Sequence, residues 1–545
     1  TGDLVAFPID LADGSLGDAE WSSKDVLGAQ FDGSKWDSDR VMLTSAATEY
    51  GAVPFRWEEL SGSQQALLNR TPGPGDIWAD DDLGGARLDY TRGDRRQELQ
   101  QGGLFRDRDA LLGDIVNSDP IFVGKPPFRY PNDLGHDSER YEEFVVRTRG
   151  RDPDPDLNPG GSNAMLYVGG NDGMLHGFDA DTGEEVFAYV PRGVYERLPW
   201  LPYLDYDSNH RFFVDGALIA GDIVESTTRS WSDQQWHTAL VGTLGAGGKG
   251  IFALDVTDAT AFTENTAQFE NDRSGWAPVY WDFTASDEGF EDLGYTFSAP
   301  TIVQPRKNYW MAAFGNGYGS RDGKAVLYLV KISGYDNGKI KTASVADEGP
   351  DNGLSSVAPV DSYQEDGGAP NVIDYIYAGD LKGNLWRFEP ANNDGQASSS
   401  WDVSFGGQPL FVARDRSGNR QPITIRPAVF MHPEGGVMVV FGTGKYFEVG
   451  DAQANPDIVH SLYGVWDRSA RTSAESGAGT TDFATIQRMH LMPQSFVAGG
   501  NVAGYDVRRS SDAIVPWYEG AALPIVTGGE GYRGWYLDLV DPTGG

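Results

Sequence analysis

The residues best suited to chemistry in this chain are short strings of carboxylates. Asp205-Tyr206-Asp207-Ser208-Asn209 places oxygen donors at alternate positions, the opening spacing of a calcium loop. His210 stands where such a loop wants glycine, and no bidentate Glu closes it, which fits a solvated loop better. Asp152, Asp154 and Asp156 repeat the spacing, but the intervening prolines stiffen the backbone against wrapping an ion. A third acidic stretch, VDSYQEDGGAPNVIDYIYAGDL from Val360, offers hard oxygens in a glycine-containing loop, the donor type calcium takes. Arg92-Gly93-Asp94 can be read as an integrin-type adhesion tripeptide. Its structural alternative puts Asp94 near the start of a short helix, with Arg92 paired locally.

Enzymatic signatures are missing where they would be legible. Neither HExxH nor GxSxG occurs, and the seven histidines form no readable catalytic cluster. Gly248-Lys249-Gly250 and Gly444-Lys445-Tyr446 lack the spacing and the Ser/Thr of a phosphate loop. Gly315-Asn316-Gly317-Tyr318-Gly319 falls between strands and is no dinucleotide fingerprint. Cysteine is absent, which excludes disulfides, thiol catalysis and cysteine-based zinc sites and leaves the redox compartment open. The chain reads as a non-enzyme.

Whatever these residues do, antiparallel sheets must position them. Ala164 to Pro191 reads AMLYVGGNDGMLHGFDADTGEEVFAYVP: three strand-length runs separated by Gly/Asn/Asp turns, the pattern of a meander. The unit recurs from Thr238, Trp310, Asp374, Val437 and Leu523, and the opening TGDLVAFPIDLADGSLG reads as the same unit entered at its turn. About seven units lie within the usual four to eight blades of a β-propeller. Several are preceded by a further strand introduced by a proline, as at Ser118-Asp119-Pro120, Ser298-Ala299-Pro300, Ala358-Pro359 and Arg426-Pro427, where a missing N–H does least harm. The expected fold is all-β, a modified seven-bladed propeller with helical and loop insertions. Residues 1–17 supply first-blade strands, 18–112 an inserted helical and loop segment, and 113–545 the remaining blades of one propeller domain. Within the insertions, short helices are expected over Trp21 to Phe31, Gln64 to Arg70 and Arg95 to Leu99. Another is expected over Asp137 to Arg149, capped by Asp137 or Ser138. Thr1 falls inside a repeat and Gly545 just after a strand, so the sequence reads as a piece of a longer polypeptide.

Five segments in order, FRDRDALLGDIVNSDPIFVG (Phe105 to Gly124), LYVGGNDGMLHGFDADTGEEVFAYVP, HRFFVDG (His210 to Gly216), YAGDLKGNLWRF (Tyr377 to Phe388) and GTGKYFE (Gly442 to Glu448), resemble the C-terminal propeller domain of the PilY/PilC family of type IV pilus tip-associated adhesins and biogenesis factors. The resemblance covers nearly the whole chain. It implies a modified seven-bladed propeller exported through the periplasm to the surface of a Gram-negative cell, working at the pilus tip with minor pilins and a surface or host receptor. It also implies calcium as a regulator of pilus extension and retraction, bound in an Asp-rich loop just before the YAGDL strand. Asp361 matches that loop's first ligand position and Asp374 its last, with Glu365 and Asp366 between; Tyr363 departs from the pattern, and the loop is longer than usual. The DADTGEEVFAYVP string also resembles the repeat of quinoprotein dehydrogenases, so an oxidoreductase holding pyrroloquinoline quinone is one rival, and a secreted glycan-binding propeller another.

The formal net charge of -37 argues against nucleic acid or an anionic membrane as a bulk-electrostatic partner. Asp exceeds Glu and Arg exceeds Lys, a balance that suits high-salt hydration and equally a secreted acidic protein. No apolar run approaches the ~20 residues of a membrane span.

Overall fold

The computed structural model describes residues 2–45, 51–73, 77–131, 139–154, 156–225, 234–265, 278–306, 309–333, 340–345, 350–361, 372–390, 401–453, 455, 457–469, 485–518 and 531–540. The chain divides into two compact units, Thr1–Ile302 with Val330–Lys339, and Val303–Leu329 with Ile340–Gly545.

Among the described residues, two large sheets carry the first unit, beside two two-stranded ones. In the first, Ile121–Val123, Met165–Gly169, Leu175–Asp179 and Glu185–Val190 form the antiparallel meander expected from the Ala164 repeat. The second is a four-stranded meander of Leu218–Glu225, Gln235–Thr243, Gly250–Asp255 and Val279–Thr284. Besides the helices and loops its composition predicts, the segment 18–112 adds two strands to the first sheet. Met42–Ser45 runs parallel to Glu185–Val190, and Ala52–Pro54 pairs with it on the outside. Both are short, and neither carries a turn-bounded repeat that would mark it as a blade strand.

Most of the third sheet and all of the fourth and fifth lie in the second unit. The third orders Thr301–Arg306, Tyr309–Gly315, Val326–Lys331 and Ile340–Ser344. The fourth runs Ala358–Val360, Tyr375–Gly379, Asn384–Pro390, Phe411–Val412 and Ile486–Gln487, and the fifth Ala428–Met431, Val437–Gly442, Ser461–Asp467, Gly534–Asp538 and Met492–Gln494. Each proline-introduced strand is an edge strand of its sheet; three begin just after their proline, and Ala358–Val360 carries Pro359 at its second position. The last repeat is described only from residue 531, and its strand Gly534–Asp538 joins the fifth sheet beside Ser461–Asp467. The opening repeat contributes Val5–Ala6, paired with Trp21–Ser22.

At two repeats the glycine that ends the second strand has a plain physical cause. A Cβ on Gly169 would lie 2.1 Å from the Val214 carbonyl oxygen, and one on Gly315 would lie 2.2 Å from that of Ser355. The strand end is approached by the backbone of the following repeat, and only hydrogen fits between them. Buried tyrosines then tie neighbouring sheets: Tyr189 donates to Asp282 at 2.7 Å, and Tyr377 to Asp467 at 2.7 Å.

Helices occupy the insertions. Ser23–Gln30 and Gly62–Leu68 match expectation within a few residues, the second capped by Ser61 and Gln64 bonding reciprocally to each other's backbone N–H. No helix covers Arg95 to Leu99; Gly84–Arg92 is helical instead, followed by a 3-10 turn over Leu99–Gln101. The helix expected from Asp137 is Tyr141–Arg147, with Arg140 as its N-cap; Asp137 and Ser138 lie outside the described residues. It docks on the second sheet, where Tyr141 donates to Asp222 at 2.7 Å and packs edge-on against Trp236.

Candidate functional site

Asp361 and Asp374 follow and precede the two paired strands of the hairpin that opens the fourth sheet. Because Val360 stands opposite Tyr375, and the Asp374 N–H donates to the Val360 carbonyl at 2.8 Å, both aspartates sit together at the hairpin's mouth, each half-buried. Two carboxylates at the neck of one loop fit part of a calcium ion's oxygen set. Glu365 and Asp366 lie outside the described residues.

Members of the two other acidic strings make local turn contacts or a surface ion pair. Asp152 accepts from the Asp154 N–H and pairs with Lys125, Asp154 accepts from the Asp156 N–H, and Asp205 accepts from the Asn209 amide. Apart from the exposed Lys125 pair these are turn contacts, in keeping with solvated loops.

Arg92 ends the helix Gly84–Arg92 and is 1% exposed. Its guanidinium donates to Glu264 at 2.8 Å, to the Phe55 carbonyl at 3.1 Å and to the Arg40 carbonyl at 3.0 Å, while Arg40 returns a bond to the Arg92 carbonyl at 2.7 Å. Asp94 is buried too and accepts from the backbone and guanidinium of Arg96. An adhesion tripeptide needs both charged ends at the surface. Here Arg92, Gly93 and Asp94 tie the inserted segment together, a structural role, but with other details than the structural alternative gave: Asp94 follows the end of a helix instead of opening one, and Arg92 pairs with the distant Glu264 instead of locally.

Two charged clusters are not legible in the sequence. In the first, Arg40 binds Glu185 through Nε at 2.6 Å and Nη2 at 2.9 Å, Glu185 meets His176 Nδ1 at 2.7 Å, and Asp172 meets His176 Nε2 at 3.1 Å. Burial alone would depress His176, but Asp172 and Glu185 outweigh it and hold the imidazole up at about 9. Burial pushes Glu185 up, and Arg40 with His176 overcomes this, bringing it to about 2. The result is a buried row of alternating charges. It acts as a brace, for every member has a partner of opposite sign.

The second cluster joins Glu225, His237 and Asp255, whose ligand atoms lie within 4.8 Å of one another. His237 Nδ1 is 2.7 Å from Asp255, and Tyr280 donates to Glu225 at 3.1 Å. Two carboxylates and an imidazole are a donor set that divalent transition metals accept. The same atoms are already satisfied without one. Burial depresses His237, but Asp255 and Glu225 outweigh it and keep the ring protonated up to about 9, so the imidazolium supplies the positive charge. Register explains the meeting: Glu225 pairs with Gln235 and Ala239 with Asp255, so all three share one face of three adjacent strands. Spacings of twelve and eighteen residues carry this information only once the register is known.

Comparisons with known proteins agree with this architecture. The model of the PilY1 beta-propeller domain family matches residues 112–495. The type IV pilus biogenesis factor PilY1 of Pseudomonas aeruginosa strain PAO1 is 36% identical over 558 residues, covering 99% of this chain and 43% of that protein. A PilY1 homolog of Xylella fastidiosa strain Temecula1 is 32% identical over 582 residues, covering 100% of this chain and 35% of its own length. The chain thus spans under half the length of these relatives. The crystal structure of the Pseudomonas aeruginosa PilY1 C-terminal domain is similar at a TM-score of 0.57 and 33% identity, covering 77% of each chain.

Proposed function

The chain belongs to the PilY1 family through its β-propeller domain, and from that premise we propose that it serves type IV pilus biogenesis as a non-enzymatic, partner-binding domain. In this reading it works at the cell surface or pilus tip of a Gram-negative bacterium, after export through the periplasm. It binds minor pilins there, and a surface or host receptor is a further partner. The observation that carries the reading is the family match over residues 112–495.

A physical feature supports a protein-binding role. Ala428–Met431 is an edge strand of the fifth sheet, with Phe430 59% and Met431 53% exposed. An apolar, exposed edge is a template to which another chain can add a strand. Calcium enters at the hairpin mouth between Asp361 and Asp374, where a divalent ion would draw the two carboxylates together and tighten the intervening loop.

The experiment is co-purification of the chain with minor pilins, with and without a calcium chelator. Retention of pilins that weakens on chelation is expected. No retention in either condition would overturn the pilin reading, and chelator-independent retention would remove calcium alone. Dye-linked turnover after adding pyrroloquinoline quinone and calcium would overturn the non-enzymatic part.

A further inference from the structure

The second unit carries a ribbon that joins no larger sheet. Among the described residues, Phe496–Val502 and Tyr505–Ser510 pair only with each other, linked by the two-residue turn Ala503-Gly504, both at positive φ. A lone two-stranded hairpin is marginal in water. This one also exposes Val502 at 62%, Tyr505 at 76% and Val507 at 40%. Val502 stands opposite Tyr505 and Gly500 opposite Val507, so the three apolar side chains share one face.

Backbone geometry fixes which groups of the ribbon are open. Flanking a two-residue turn, Val502 and Tyr505 form a hydrogen-bonded pair, and the alternation of an antiparallel ladder turns Val507 and Arg509 inward with Tyr505. The N–H and C=O of Asp506 and Arg508 therefore point outward, where no strand receives them among the described residues. The outer side of Tyr505–Ser510 is an unpaired edge. The other edge, along Phe496–Val502, offers Gly499 and Gly500, which give a neighbour no side chain to hold.

We propose that Tyr505–Ser510 pairs antiparallel with the same strand of a second copy of this chain, about a twofold axis at Val507. The sequence along the strand selects that occupant. Pairing about Val507 sets Val507 against Val507, position 506 against 508, and 505 against 509. Positions 506 and 508 both carry the outward backbone groups, so each such pair closes a hydrogen-bonded ring. Asp506 meets Arg508 of the other copy, an opposite-charge pair made twice, and Tyr505 meets Arg509 on the apolar face. An axis at Asp506 or at Arg508 would oppose like charges instead. Within one chain Arg508 lies over the Phe496 ring at 5.4 Å and donates to the Val540 carbonyl at 3.3 Å, while Arg509 meets Asp512 at 3.4 Å in an exposed pair. Contacts this weak yield to a partner. The net charge of -37 opposes association in dilute salt. At physiological ionic strength that repulsion is screened over about 8 Å, which leaves the local complementarity to decide. The inference does not depend on the pilus reading.

Sedimentation equilibrium of the purified chain in about 0.15 M NaCl tests it. One strand edge is a small interface, so a monomer–dimer equilibrium with a Kd of about 10–500 µM is expected. Arg508→Asp opposes two acidic positions twice over and should weaken dimerisation about tenfold. Adding Asp506→Arg to that variant swaps the charges and should return the affinity to within about threefold of wild type. Val507→Lys, which sets two like charges at the axis, should also weaken dimerisation about tenfold and decides if the first variant fails to fold by circular dichroism. A chain monomeric at every concentration would overturn the pairing and leave the edge to a different protein. A dimer indifferent to Arg508→Asp and Val507→Lys would put the interface elsewhere, and failure of the charge swap to restore it would overturn the register.

Discussion

At the scale of single residues, the buried row from Arg40 to Asp172 is where one atom matters most. Glu185 faces Arg40 on one side and His176 on the other, and all three are almost wholly buried. Glu185→Gln keeps the shape and removes the charge, leaving two buried cations with no shared counter-ion. Urea unfolding should show a loss of about 3–5 kcal/mol; a loss below ~1 kcal/mol would mean the row is not a brace. The same groups set the pH dependence. His176 and His237 are raised to about 9, so their contribution is complete below the unfolded value near 6.5 and is lost as pH climbs through about 9. Glu185, lowered to about 2, contributes above its unfolded value near 4.5 and loses that contribution as pH falls toward 2. The urea midpoint should therefore decline on both flanks of a plateau near pH 4.5–6.5. His237→Asn should flatten the alkaline flank.

At the scale of the element, the repeat-end glycines make a graded prediction. Gly169→Ala would force a Cβ to 2.1 Å from a backbone oxygen, and backbone has no rotamer in which to retreat. Gly442, at the corresponding strand end in the fifth sheet, has nothing nearer than 3.4 Å, the flexible tip of Leu462. Gly169→Ala should cost about 1–3 kcal/mol or more, and Gly442→Ala well under 1 kcal/mol, compared by thermal melts of the two variants. Equal effects would show that inter-repeat contact is not what selects glycine. The helix Gly84–Arg92 shows the limit of reading elements from composition. It opens on two glycines, a turn signal, yet Gly84 is there because Asn69 and Trp57 leave no room for a Cβ, 2.5 and 2.6 Å away. Packing overrides a propensity of about 1 kcal/mol.

At the scale of the whole molecule, a formal charge of -37 sets the response to salt. Self-repulsion among exposed carboxylates weakens the folded state and is screened over about 10 Å at 0.1 M ionic strength. The melting temperature should rise between about 0.05 and 1 M KCl, as followed by circular dichroism. A fall would place more stability in surface ion pairs than in relief of repulsion.

Meander strands, proline-led edges, turn glycines and the family likeness are written in the sequence. They depend on local rules: alternation with period two, turn chemistry, and the missing N–H of proline. What only the tertiary structure decided is which side chains meet. Arg92 is an interior tie, and Glu225, His237 and Asp255 share a face. Those encounters depend on strand register and on how sheets and insertions pack, and no window of neighbouring residues contains either.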